Sequence, residues 1–270
     1  MGSETGISWA DSTWNPWQGC RRVSPGCDHC YMHREKERYG QDPARIHLSS
    51  DATFGGVKSA KKYKPGSRVF VCSWSDFFLA EADAWRHEAW ECIHQRQDLL
   101  FLILTKRPEN IASRLPPEWP PPNVWLGVTA EDQQRADERI PILLSTPAAG
   151  RFVSVEPMLG PVTFANKWPT EYDYRPSGGF WHSFGGRDDG PVRVRDGIRW
   201  AICGGESGPH ARPMEEQWVR GLRDQCIDAG VRFHYKQKIE NGRKIVFPRL
   251  DGIVWDGVPA LPDATVLPPS

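Results

Sequence analysis

Short apolar runs recur along this chain, and each stops on polar residues. They are Arg68 to Cys72, ending in Ser73-Trp74-Ser75-Asp76; Leu99 to Leu104, then Thr105-Lys106-Arg107; Val124 to Val128, then Thr129-Ala130-Glu131; Arg151 to Val155, then Glu156-Pro157; Arg199 to Cys203, then Gly204-Gly205-Glu206; and Val231 to Tyr235, then Lys236-Gln237. Continuous apolar stretches of about four to six residues read as strands buried on both faces, the habit of a parallel sheet. Helical periodicity fills the intervals. Residues 80–98 place Trp85, Ala89, Cys92 and Ile93 on one face. Residues 215–229 do the same with Trp218, Leu222 and Cys226, and Gly230 follows as a C-cap. Residues 132–140 are helical until Pro141, which is expected to interrupt them. Residues 28–39 read as a charged helix closed by Gly40.

Strands that alternate with helices imply right-handed βαβ units. With no Gly-rich dinucleotide turn, the pattern predicts an α/β fold, a partial or complete parallel (β/α) barrel of six to seven strands, with 1–270 as a single domain. In such a barrel the carboxyl ends of the strands form the active face. Two stretches break the alternation. Residues 41–67 are polar and basic, with a lysine-rich run from Lys58 to Lys64, and residues 160–198 are rich in Gly, Pro and aromatics. Both are expected as lid elements.

Composition narrows the class. Lys plus Arg and Asp plus Glu each total 34, so the net charge is zero and a blanket polyanion binder is excluded. The apolar fraction of 39% excludes a disordered chain. The run LLFLILT at 99–105 is too short to span a membrane. The N-terminus has no signal-peptide pattern, and Gly6 stands where a myristoylation motif needs Ser or Thr. A cytoplasmic protein is expected, in which clustered cysteines suggest metal or redox chemistry.

The sharpest motif is Cys20-x6-Cys27-x2-Cys30. Ser24-Pro25-Gly26 is turn chemistry that lets the loop fold back and bring the sulfurs to one metal centre. Arg21, Arg22 and the helix start at Cys30 are expected to favour thiolate. Zinc would need a fourth ligand, with His29, His33 and Cys72 as candidates. An iron–sulfur cluster could instead leave one iron open. Spacing alone leaves both metals standing. Cys72, Cys92, Cys203 and Cys226 read as core packing. Trp85, Trp90 and Trp218 also read as core. Trp14, Trp17, Trp168 and Trp181 lie in loops and are candidates for binding, and with Arg21, Arg22 and the Lys58–Lys64 run they could meet nucleic acid.

The stretches Thr13-Trp14-Asn15-Pro16-Trp17-Gln18-Gly19-Cys20 and Val23-Ser24-Pro25-Gly26-Cys27-Asp28-His29-Cys30-Tyr31 resemble the phage-associated three-Cys-motif family of radical-SAM-like proteins. The likeness continues through Ser73 to Phe78, Leu104 to Pro108, Asn123 to Val128, Ser154 to Pro161, Cys203 to Gly208 and Phe233 to Gln237, and so covers about residues 7 to 250. The chain departs from the commonest radical-SAM motif by carrying six residues, not three, between its first two cysteines, and by placing His29 where an aromatic is usual.

The resemblance implies a radical-SAM-like barrel with a [4Fe-4S] cluster on Cys20, Cys27 and Cys30. It further implies S-adenosyl-L-methionine on the open iron and a 5′-deoxyadenosyl radical that abstracts substrate hydrogen. The strand-end residues then become cofactor contacts. Ser73, Ser75 and Asp76 would hold an amine, Thr129 and Glu156 ribose, and Lys106 and Lys236 a carboxylate or phosphate. Gly204, Gly205 and Glu206 would let backbone approach a ligand and offer it a carboxylate, with His29, Thr105 and Glu131 completing the set. As a separate expectation, the substrate is a macromolecule, foremost nucleic acid, with a peptide or small metabolite behind it, and an electron donor and a neighbouring protein are the partners, with no membrane. The alternatives are a zinc or structural-cluster barrel that binds nucleic acid or protein without radical chemistry, and a metal-dependent hydrolase. The hydrolase is weakened by the lack of a His pair at ligand spacing.

Overall fold

The computed structural model describes residues 5–164 and 197–259. In chain order the elements are β1 (Ser12–Trp14), β2 (Trp17–Gln18), α1 (Tyr31–Arg38), β3 (His47–Leu48), α2 (Asp51–Phe54), β4 (Arg68–Val71), α3 (Asp83–His94), β5 (Leu100–Thr105), β6 (Val124–Thr129), α4 (Gln133–Ser145), β7 (Gly150–Val155), β8 (Trp200–Gly204), α5 (Glu216–Ala229), β9 (Arg232–Glu240), β10 (Arg243–Val246), β11 (Arg249–Leu250) and β12 (Ile253–Val254). One sheet runs β1-β4-β5-β6-β7-β8-β9-β10 and curls into a half-barrel. All its pairings are parallel except β9 with β10, a hairpin that ends the sheet. The two edge strands do not pair, so the barrel is partial and not closed.

Alternation along each strand separates two cores. Val69 and Val71, Phe101 and Ile103, Leu126 and Val128, and Val153 and Val155 pack outward against the helices, meeting Ala89, Ile93, Ile140, Leu143, Leu222 and Cys226. The inner face is filled by Phe70, Leu102, Trp125, Phe152 and Trp200, with Trp9 laid across them. Two glycines create this packing. A Cβ on Gly127 would lie 2.4 Å from the Phe152 ring, and one on Gly150 would lie 2.1 Å from the Trp125 ring. Among the described residues these side chains fill the lower half of the barrel, and a cavity lies toward the carboxyl ends of the strands.

Several expectations are corrected. The run beginning at Arg68 ends at Val71, because Cys72 takes a φ of 61° and turns the chain. α4 continues through Pro141 to Ser145. A proline inside a helix costs about 3 kcal/mol, and here the burial of Ile140 and Leu143 on the sheet outweighs it. The stretch 41–67 carries part of the core. Phe54, Val57 and Tyr63 are buried in the outer core, and Arg96 donates to the carbonyls of both Val57 and Tyr63. Trp14 and Trp17 are buried core residues too, their indole N–H groups donating to Phe54 O and Asp76 O. Of the stretch 160–198, residues 165–196 lie outside the described residues, with Trp168 and Trp181 among them. No helix among the described residues is long and apolar enough to cross a membrane.

Candidate functional site

The three-cysteine segment leaves β2 and crosses the carboxyl ends of the parallel strands. Its shape follows from local chemistry. Gly19 has a φ of 91°, and a Cβ there would lie 2.3 Å from the Arg45 carbonyl oxygen, so only glycine fits. Ser24-Pro25-Gly26 closes a short 3-10 turn, Cys27 N–H donating to Ser24 O at 2.8 Å. Cys30 then sits at the N-cap of α1.

Charged side chains from the strand ends pin this loop. Glu131 is fully buried; it accepts from Gly26 N–H at 3.2 Å and from Arg139 at 2.8 Å. Arg107 donates to Asp76 at 3.2 Å, to Arg21 O at 2.7 Å and to Cys20 Sγ at 3.7 Å. Arg212 donates to Pro25 O at 2.7 Å and also to Glu206, which His29 Nδ1 meets at 2.8 Å. Four strand-end groups thus hold one loop over the barrel mouth.

Beneath the loop lies an open cavity of about 200 Å³. One water takes up roughly 10–15 Å³ of such space, so the cavity is ligand-sized. Cys20, Cys27, Cys30 and His29 line it, as do Ser73, Ser75, Asp76, Thr105, Lys106, Thr129, Glu156, Gly205, Glu206 and Lys236. Of the residues expected from sequence, only Glu131 and Gly204 stand off it. Glu131 is spent on Arg139 and the loop, and the Gly204 carbonyl accepts from Met158 N–H.

Lining the cavity is not the same as being free to bind. Asp76 already accepts from Phe78 N–H, Thr105 Oγ1, Lys106 N–H and Arg107, so it organises the wall and does not await an amine. The Ser75 hydroxyl donates to Gly19 O at 2.6 Å, and Ser73 exchanges hydrogen bonds with Asn15. Lys236 is paired with Glu156 at 2.5 Å. Arg107, Arg212, Gln237 and Asn15 were not picked out from the sequence. Arg107 had a signal, lying in the same polar strand end as Thr105 and Lys106. Arg212 had none, because only the fold brings it to residue 25.

The thiols differ in environment. Burial, with the Asp76 carboxylate beside it, pushes Cys20 up to about 12, against the effect of Arg107. This corrects the expectation of a thiolate there. Arg21 and Arg22 turn away from the sulfurs, to Glu81 and Glu37. Cys72 is buried as expected of core, but it also lines the cavity, as does His33. Among the described residues, no three His, Cys, Asp or Glu side chains form a group that could hold one metal ion. A zinc site requires its donors within about 2.3 Å of a single point. Cys20, Cys27 and Cys30 all line the one cavity, and three thiolates are a donor set that a polynuclear cluster would take on separate irons. The basic run at 58–64 contributes no residue to the cavity.

No curated protein and no solved structure matches the chain. A family model described as "Protein of unknown function (DUF5131)" matches residues 4–259 and so takes in every strand and the whole cavity; the chain belongs to that family.

Proposed function

We propose that the protein is a radical-SAM-type enzyme, with a [4Fe-4S] cluster held by Cys20, Cys27 and Cys30 and S-adenosylmethionine beside it in the cavity. One observation carries this reading: all three cysteines meet the polar ends of the parallel strands in a single ligand-sized cavity. When bound, these groups would supply one-electron cleavage of a carbon–sulfur bond and so a route to hydrogen abstraction.

The chain's own part is to position and to shield. Glu131, Arg107 and Arg212 hold the cysteine loop by main-chain and side-chain contacts, so the thiols are presented by a braced segment. Arg107 donates toward Cys20 Sγ and would lower the electron density on that ligand. Cys20 would release its proton on binding metal. Glu206, both of whose carboxylate oxygens are taken by Arg212 and His29, braces the wall beside the loop. The Trp9 and Phe70 floor keeps water from entering through the barrel.

The test is anaerobic purification with assay of iron, sulfide and zinc, followed by incubation with S-adenosylmethionine and a strong reductant. Iron and sulfide near four each per chain, and release of 5′-deoxyadenosine, are expected on the order of cluster stoichiometry. Cys27→Ala should lose both. Stoichiometric zinc without iron, or an intact cluster that releases no 5′-deoxyadenosine, overturns the proposal.

A further inference from the structure

Part of the cavity wall carries polar valences that the cysteine loop does not use. Lys106 lines the cavity just past β5; among the described residues its ammonium makes no hydrogen bond or close ion pair, and the carboxylate whose charge it feels, Glu131, is already held by Arg139. Lys236, the other lysine on the wall, has its charge met by Glu156. Thr129 and Ser154 are direct cross-strand partners, so both hydroxyls leave the sheet on its inner face. Thr129 is 1% exposed, and its Oγ1 has no partner. Gln237 is 3% exposed; its Nε2 donates to Gly205 O at 2.9 Å and to Glu156 Oε1 at 3.3 Å. Turning that amide over would set its oxygen against two acceptors, so the orientation is settled. Gln237 Oε1 is thereby left buried without a donor. Buried polar groups are nearly always paired, and two orphans that line the same cavity as a cation without a hydrogen bond, Thr129 from the strand next to it and Gln237 from across the curled sheet, call for a ligand with complementary groups.

We propose that this wall is an oxyanion subsite for a small organic anion that carries an N–H or O–H donor beside its charge. Lys106 takes the carboxylate or phosphate, the Thr129 hydroxyl donates to the same group, and Gln237 Oε1 accepts from the neighbouring donor. The amino-acid end of S-adenosylmethionine and a nucleoside monophosphate both have this chemistry. The subsite concerns the same cavity as the radical reading, but it rests on these three side chains and not on the cluster.

The test is isothermal titration of the full chain with S-adenosylmethionine and with adenosine monophosphate as separate probes. At least one should bind. Lys106→Met should weaken that binding by about tenfold or more and flatten its salt dependence, while Lys106→Arg retains most of it. Thr129→Val and Gln237→Met should each weaken it several-fold. Which probe responds identifies the source of the anion. Failure of both probes to bind, or equal binding by the parent chain and a folded Lys106→Met variant, overturns the subsite. Iron assayed on the same samples separates the two proposals. An iron-free chain whose anion binding depends on Lys106 sinks the radical reading alone. An iron-loaded chain that binds S-adenosylmethionine equally well without Lys106 sinks the subsite alone.

Discussion

Glu131 and Arg139 form a buried ion pair whose carboxylate also holds the Gly26 amide. Removing one partner of such a pair strands the other charge, at about 3–5 kcal/mol. Arg139→Met should therefore lower the urea unfolding free energy by about that amount, and Glu131→Gln placed on top should recover part of it. The same residue gives a pH signature. Burial raises the Glu131 carboxyl, but Arg139, Lys106 and Ser24 together bring it below its ordinary value. Its contribution to stability is thus present above the unfolded pKa and is lost as pH falls through the folded one. His234 acts in a higher window. Burial lowers its ring to about 4 while Ser8 shares a 2.8 Å hydrogen bond with Nε2. The unfolded chain then takes up a proton first, and stability falls as pH drops from about 6.5 toward 4. Urea titrations at several pH values should show His234→Gln flattening the upper window and Glu131→Gln the lower. Superimposable curves for parent and His234→Gln between those limits would remove the assignment. Neither role was legible in the sequence. A strand-end glutamate looks the same whether it faces a cavity or a buried arginine.

Strands were the most legible elements, because burial on both faces leaves a continuous apolar run that polar strand ends punctuate. β1 escaped that signal: Ser12-Thr13-Trp14 has no such run and is a strand only because β4 pairs with it. The β9–β10 hairpin also went unseen, since Arg243–Val246 is mostly exposed and has no hydrophobic pattern to read. The inner face depends on paired small and large residues across strands. Gly127→Ala should force the Phe152 ring aside and cost roughly 1–3 kcal/mol in thermal or urea denaturation. Adding Phe152→Leu should return part of that loss. If the two substitutions are simply additive, the contact does not set the packing. Pro141 makes the complementary point. Its local preference argued for a helix end, and the burial of the flanking apolar residues on β6 overrode it.

Across the whole molecule, the seven cysteines divide by accessibility. In the metal-free native chain near pH 8, Cys30 should alkylate first. Cys20 should lag, because burial and Asp76 hold it up to about 12. Cys72, Cys92, Cys203 and Cys226, each at most 2% exposed, should react only in denaturant. Peptide mass spectrometry reads the order, and early labelling of Cys203 or Cys226 would contradict the core placement. The neutral overall charge takes on a local meaning here: its charges are arranged in pairs around the barrel mouth, and among the described residues the Lys106 ammonium is a lining cation with no hydrogen bond or close ion pair. Apart from β1 and β10, the order of the strands in the sheet, the parallel pairing and the ring of strand-end residues were present in the linear pattern, because burial periodicity and polar punctuation are local properties. Three things were not. They are the open edge that leaves the barrel partial, the burial of Trp14 and Trp17, and the division of the polar set into groups already paired and groups still unpaired. Each depends on contacts between residues far apart in the chain, such as Arg107 with Cys20 or Lys236 with Glu156, and those distances come into being only when the sheet curls.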